Sequence, residues 1–474
     1  MILLPNNTRL NNAEPNGAEP TGADPTGPEP TSASPASAPA NDIDEFFSTD
    51  RTRGTGEAIA LPDSDYREFV YDLDDPVVRP YRAMDYEEFT EDRQQAEFLR
   101  NLLEYWDGLY REPFVGITSD GHRRDGLYRL PSPAGTDAAE PNASAPVAAA
   151  ISLLDALPPV ERAAVTYALD APEWRGWSNP EFVFKRIGLR LEELADEQAE
   201  LVYGLLRESL SAEGYERVRE AMALNGFLGE ITKLPQIMND RSYWFAIYGK
   251  PSTTEPWGWQ LFGRHVALNF VFVGGREVCA PVFIGAEPAL SEPEHPPIFE
   301  RRERLALELA ATFTPEQRDQ AVVYTSVLDE KMPDDRIHPA DERHVAGAFR
   351  DNRIVPYEGI LATEFDHDQR ELLREIVRDF YGLLRPEQVE LTLAEYDEHI
   401  GETYLAWYGA TDGSTPSYLR IQSPVIIAEL DHHAGVWLSN RTPARFHVHS
   451  TLRHPNGNDY GKALISAWQE AIAD

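Results

Sequence analysis

The sequence predicts an α+β fold: two internally duplicated helix-plus-antiparallel-sheet halves related by a pseudo-two-fold axis, behind a disordered acidic N-terminal tail. Three observations carry this. Residues 243–288 read as strand, Gly/Pro loop, strand, Gly-Gly turn, strand. Residues 403–431 repeat the pattern without a gap at an offset of 160, so that Tyr408-Gly409 falls on Tyr248-Gly249 and Pro416 on Pro256. Two helical blocks ahead of each sheet also recur, in the same order.

In chain order, residues 1–45 carry a five-residue motif (AEPNG, AEPTG, ADPTG, PEPTS) whose regular prolines block helix and ladder alike. Residues 46–130 form a helical lead-in. Within it, Phe89, Phe98, Leu99, Leu102, Leu103 and Trp106 recur at helical spacing over 85–110. A Pro/Ala/Ser linker follows at 131–148, then a first half at 149–290 and a second at 291–474. Pro159-Val-Glu-Arg162 matches Pro315-Glu-Gln-Arg318 at offset 156, and each opens a helix ending in a β-branched run. Gly188 to Gln198 matches Gly359 to Gln369 at offset 171, each leading into a long helix (191–210 and 366–384).

Strand side chains alternate. Val266, Leu268, Phe270 and Phe272 therefore form one apolar face, with His265 and Asn269 on the other. In the second copy Ile426, Ala428 and Leu430 are the apolar set, opposite Glu429 and Asp431. His447 and His449 share one strand face, in phase with Thr451 and Arg453.

A net charge of −37 repels nucleic acid and anionic membranes, so neither is an expected partner. The single cysteine, Cys279, excludes an intramolecular disulfide and a multi-thiolate zinc site; it sits among apolar strand residues as a small hydrophobe. No run of about 18 apolar residues is present, and Met1-Ile-Leu-Leu lacks the basic flank and length of a signal peptide, so a cytoplasmic protein is expected. P-loop, Rossmann, nucleophile-elbow and H-E-x-x-H motifs are absent.

From about Phe114 onward the sequence resembles a bacterial family of unknown function, DUF3500. The motifs that carry this are Glu173-Trp-Arg-Gly-Trp-Ser-Asn179, Met222-Ala-Leu-Asn225, the run from Pro256 to His265, Leu268-Asn269, Gly285-Ala-Glu-Pro288, Tyr418-Leu-Arg-Ile421, Glu429-Leu-Asp431, the run from His447 to Arg453, and Asn458-Asp-Tyr-Gly461. In the family pattern two histidines follow Gly263. Here Arg264 replaces the first, which leaves His265 as the retained one. The resemblance implies a shared site and names no reaction.

The residues themselves suggest chemistry. Two imidazoles on one strand face can reach one metal, and His265 is the best third ligand for His447 and His449. Glu429 could complete the set or act as a base, which admits zinc, iron, manganese or copper as a divalent transition metal. Arg453 could clamp a substrate carboxylate or pair with Glu429 or Asp431. Asn269 could bond substrate, and Asp459 could brace an imidazole or merely cap a turn. Trp174, Arg175, Trp257 and Trp259 could wall a pocket, or be core. The histidines could equally hydrogen-bond substrate directly or be structural. His432-His433 is expected at a solvent-exposed strand end, and His122, His295, His338, His344, His367 and His399 are expected to be idle. The expected function is a metal-dependent hydrolase or oxidoreductase acting on a small molecule; the alternative is a small-ligand-binding protein with an aromatic-walled cleft.

Overall fold

The computed structural model describes residues 65–131, 142–289, 294–333, 336–337 and 341–473. The tail expected over 1–45, His338 and most of the linker expected at 131–148 lie outside them.

The alternating segments pair edge to edge into one twelve-stranded sheet. The first half supplies β1 (Thr166–Tyr167), β2 (Leu189–Arg190), β3 (Tyr243–Gly249), β4 (Trp257–Gly263), β5 (Val266–Val273) and β6 (Arg276–Ala286). The second supplies β7 (Val322–Tyr324), β8 (Ile360–Leu361), β9 (Tyr404–Tyr408), β10 (Tyr418–Gln422), β11 (Ile427–His433) and β12 (Ala444–Arg453). The strand order is β1-β3-β4-β5-β6-β12-β11-β10-β9-β7, with β2 on β3 and β8 on β9. The β1–β3 and β7–β9 pairs are parallel, so the sheet is mixed rather than wholly antiparallel. Each parallel partner arrives through a helical crossover, the connection that parallel pairing requires.

Among the described residues eleven α-helices surround this sheet. The lead-in periodicity predicts one helix; the backbone breaks at Ala96 (φ −58°, ψ 128°) into α1 (Tyr86–Gln95) and α2 (Glu97–Arg111). The α1 start is fixed by a reciprocal capping pair, Asp85 with Glu88. Helix α3 (Ser144–Ala156) opens inside the stretch expected to be linker. Helices α4 (Pro159–Val165) and α8 (Pro315–Ala321) run into β1 and β7, as their β-branched endings suggest. Helices α5 (Asp196–Ser209), α6 (Ala212–Thr232), α7 (Glu300–Ala311), α9 (His367–Phe380) and α10 (Pro386–Glu398) complete the set before α11 (Lys462–Ala473).

Burial explains why the strands read as nearly unbroken apolar runs: both sheet faces are covered. Val266, Leu268, Phe270 and Phe272 join Leu206, Met222 and Ile376 in one cluster. Ala267 and Val271 join Phe89 and Trp106 in another, on the opposite face. Each fully buried Val, Leu, Ile, Phe or Met side chain contributes about 1.5–3 kcal/mol. The β5–β6 hairpin turns on Gly274 and Gly275, both with positive φ (54° and 79°), which a two-residue loop of the primed type requires. Among the described residues, no helix is long and apolar enough to cross a membrane.

Candidate metal centre

Strand alternation puts His447 and His449 of β12 on one face, and the β4–β5 turn delivers His265 against them. The Nε2 atoms form a triangle: His265 to His447 3.3 Å, His265 to His449 3.3 Å, and His447 to His449 3.0 Å. The ring centroids are farther apart, at 5.3, 5.2 and 4.7 Å, so the ring tips converge. All three residues are buried. His265 is not on the strand, as alternation suggests, but one residue before β5, with left-handed backbone (φ 62°). That conformation costs a non-glycine residue about 1–2 kcal/mol and is typical of sites that aim a side chain.

The charge state suits lone-pair donation. Burial drives the His265 and His449 imidazoles well below their ordinary pKa, and that of His447 to about 4. His447 Nδ1 lies 2.6 Å from the Ala434 carbonyl, so it donates there and Nε2 is left unprotonated. Three neutral imidazoles cannot satisfy one another in a triangle. Each Nε2 offers either a proton or a lone pair, and with three corners at least one edge sets like against like. A cation accepts all three lone pairs. A circle through the three nitrogens has a radius of about 1.9 Å, so an ion at the usual 2.0–2.1 Å would sit within about 1 Å of their plane.

Gly285 makes this convergence possible. It is the cross-strand partner of His449. A Cβ there would lie 2.8 Å from the Cδ2 of both His265 and His449. Behind His447 stands Glu287, with its Oε1 3.9 Å from Nδ1. Glu287 accepts from the backbone N–H groups of Val436 (2.9 Å), Trp437 (3.2 Å) and Leu438 (3.0 Å), and from Arg264. Burial raises this carboxyl, but His447, Arg264 and the backbone donors outweigh it and hold it below the ordinary range. Arg264 bridges Glu287 and Glu181.

Other expected site residues are committed elsewhere. Glu429 accepts from Val345 N (2.8 Å), Ala346 N (3.1 Å), the Tyr418 hydroxyl (2.7 Å) and the Thr451 hydroxyl (2.8 Å), and it is not grouped with the three converging nitrogens. Arg453 pairs with Asp459 and Asp351, not with Glu429 or Asp431. Asp459 therefore holds a guanidinium, and the backbone N–H of His454 (2.8 Å), rather than an imidazole. Asn269 accepts from Gln260 (2.6 Å) and donates to the Pro281 carbonyl (2.8 Å), at the point where the β5–β6 register shifts. Trp257 and Trp259 are fully buried, stacked on Phe272 and Phe270. Trp174 stacks on Tyr248 at 3.8 Å, and Arg175 holds Asp351 at 2.7 Å. The pocket-wall expectation for these four gives way to the core one.

His344 and His433, expected to be idle and solvent-exposed respectively, both lie beside His449. The pair His432-His433 is buried, not exposed, and His344 is 1% exposed. His433 lies between Glu342 (3.4 Å) and Asp431 (3.2 Å), with its ring centroid 3.8 Å from that of His449. Burial lowers its basicity, yet the two carboxylates prevail and raise its pKa to about 9. Its phase was legible: Glu429, Asp431 and His433 alternate along β11 on one face.

The family model described as a protein of unknown function, DUF3500, matches residues 139–462. The chain belongs to this family. The match spans β1 to β12, so it includes every ligand candidate above. No curated protein and no solved structure matches the chain.

The Glu429 network yields a prediction. Burial pushes this carboxyl up, but His344, Tyr418 and Val345 N bring it down to about 2. A folded pKa below the unfolded one gives stability that is present above about pH 4.5 and is lost as pH falls through about 2. A shift of that size corresponds to about 3 kcal/mol. Glu429→Gln is expected to flatten the acid limb of a stability–pH curve by roughly that amount and to leave an ion at His265, His447 and His449 in place. Loss of that ion in this variant would instead make Glu429 one of its ligands.

Proposed function

We propose that the protein is a metal-dependent enzyme acting on a small organic molecule, with His265, His447 and His449 holding a divalent transition metal. The convergence of three buried, neutral Nε2 atoms carries this reading. Three histidine ligands to one ion is the donor count of catalytic rather than structural zinc, and an all-imidazole set suits zinc, copper or iron. With Glu429 engaged elsewhere, the case for manganese weakens. The ion, when bound, supplies Lewis acidity for hydrolysis or a redox partner for oxidation. The chain's own part is to fix the donors: Ala434 sets the His447 tautomer, and Gly285 gives the other two rings their space. The alternative, a non-catalytic binding protein with an aromatic-walled cleft, loses support because its tryptophans pack in the core.

Metal analysis of protein expressed in metal-replete medium tests the reading. At least one ion per chain is expected, falling steeply in His447→Ala. Chelation is expected to lower the unfolding midpoint, because a ligand at a thousand times its Kd stabilises the folded state by about 4 kcal/mol. Less than about 0.2 ion per chain, with no shift on chelation, sinks it.

We also read the two halves as duplicates about a pseudo-two-fold axis at the β6–β12 junction. Pairing registers support this. Tyr248 faces Gly258 as Tyr408 faces Tyr418, and Gly258 faces Val271 as Tyr418 faces Asp431, each 160 residues on. Thr166 with Ile247 and Val322 with Trp407 keep the 156 and 160 offsets; Leu189 with Phe245 and Ile360 with Leu405 keep 171 and 160. Val425 stands where His265 does, so the site belongs to one arrangement of the pair.

A further inference from the structure

We propose that the centre is built for two ions, the second held at His433 with His344 on one side and Asp431 on the other, beside His449 of the first; this rests on reading the His265, His447 and His449 triangle as a metal site. Ring nitrogens of His344, His433 and His449 lie within 4.8 Å of one another, and so do ligand atoms of Glu342, Asp431 and His433. The shared members tie both groups to the first triangle.

Each donor is held from behind. His344 Nδ1 faces the Thr451 hydroxyl at 3.3 Å and Glu429 Oε2 at 3.5 Å, so the ring proton belongs there and Nε2 presents a lone pair. His433 Nδ1 faces Glu342 Oε1 at 3.4 Å, which fixes the ring so that Nε2 points toward Asp431 Oδ2. Arg343 Nε donates to Asp431 Oδ1 at 2.8 Å and leaves Oδ2 free. This is how ligating histidines and carboxylates are usually braced.

The independent observation is what remains unpaired. His344 Nε2, His433 Nε2 and Asp431 Oδ2 are all buried and, among the described residues, have no hydrogen-bond partner. His344, His433 and Asp431 are 1%, 3% and 0% exposed. His433 Nε2 and Asp431 Oδ2 form an ion pair at 3.2 Å whose angles fall outside hydrogen-bond geometry. Buried polar atoms are normally paired, and His433, common to both groups, has such an unpaired atom on each side, His344 Nε2 and Asp431 Oδ2. A divalent cation meets all three, and an imidazole-plus-carboxylate set suits zinc, iron or manganese. The competing account is a plain buried imidazolium–carboxylate pair, with a proton where the ion would be.

Titrating the metal-free full chain with Co²⁺, followed by visible absorption and by cobalt content after desalting, separates the accounts. Two equivalents per chain are expected in the wild type, one in Asp431→Asn and His433→Asn, and one in His265→Asn. One equivalent in the wild type, unchanged in Asp431→Asn and His433→Asn but lost in His265→Asn, overturns the second ion and leaves the first site intact. One equivalent lost in His433→Asn and kept in His265→Asn overturns the triangle itself. No bound cobalt overturns both. If a variant fails to fold, anomalous scattering from wild-type crystals grown with Co²⁺ decides: two peaks bear the proposal out and one peak overturns it.

Discussion

Arg453→Met is expected to lower the unfolding free energy by about 3–5 kcal/mol, the usual cost of removing one partner from a buried ion pair. That is a large share of the roughly 5–15 kcal/mol that holds a domain folded. Arg453 is 0% exposed. It donates to Asp459 Oδ2 (2.8 Å), to Asp351, and to the carbonyls of Ala346 (3.2 Å) and Gly347 (3.1 Å). Asp351 also receives Arg175 (2.7 Å) and the Tyr460 hydroxyl (3.0 Å). One guanidinium thus ties β12 to the segment over Glu429 and to the Asn458-Asp-Tyr-Gly461 turn. Methionine fills a similar volume but takes the Arg453 donors from Asp459 Oδ2, Asp351 and two carbonyls. Arg453→Lys keeps the charge and loses the fork, so it should recover only part of the difference. Denaturant unfolding with a fixed slope measures this. A substrate clamp would behave otherwise: the midpoint would hold and only substrate affinity would change.

The same residue shows what a sequence can and cannot yield. Its phase with His447 and His449 follows from period two alone, and the structure keeps all of them on one face of β12. Its partners do not follow, because Asp351 lies 102 positions away in a segment with no regular period to read. The strands, the Gly274-Gly275 turn and the paired helices were legible because their signals are local: alternation, capping residues and turn chemistry. The break at Ala96 and the parallel edge pairs were not, since tertiary packing sets them. Within the site, His265, His447 and His449 could be named from strand phase. His433 carried the same phase signal, but its neighbour His432 and the turn at Ala434-Gly435 suggested a solvated end. His344 carried no local signal at all. The tryptophans misled because aromatic residues before a strand look alike in sequence whether they wall a cleft or fill a core.

Gly285→Ala should disable the metal centre while the fold persists. The glycine has ordinary backbone here, so conformational freedom is not its reason. Space is. The added methyl would lie 2.8 Å from the Cδ2 atoms of His265 and His449, and 3.1 Å from the Val448 carbonyl. The backbone is pinned by the β6–β12 ladder and by the 2.7 Å bond from Gly285 N to the His265 carbonyl, so the rings are what must move. Turning either ring carries its Nε2 away from a triangle whose edges are only 3.0–3.3 Å. Displacing ligands through a neighbour typically weakens metal binding about 10- to 100-fold, and moving two of three places the expectation at the upper end. The overpacking itself should cost about 1–3 kcal/mol of stability. Gly204→Ala is the control. It lies mid-helix in α5 with nothing within 4 Å of the new methyl, so it should leave metal affinity untouched and stabilise by roughly 1 kcal/mol. Competition against a chromophoric chelator gives the affinities, and thermal melts give the stabilities. If Gly285→Ala binds metal as tightly as the wild type, the three imidazoles do not need the convergence seen here, and the metal reading loses its geometric basis.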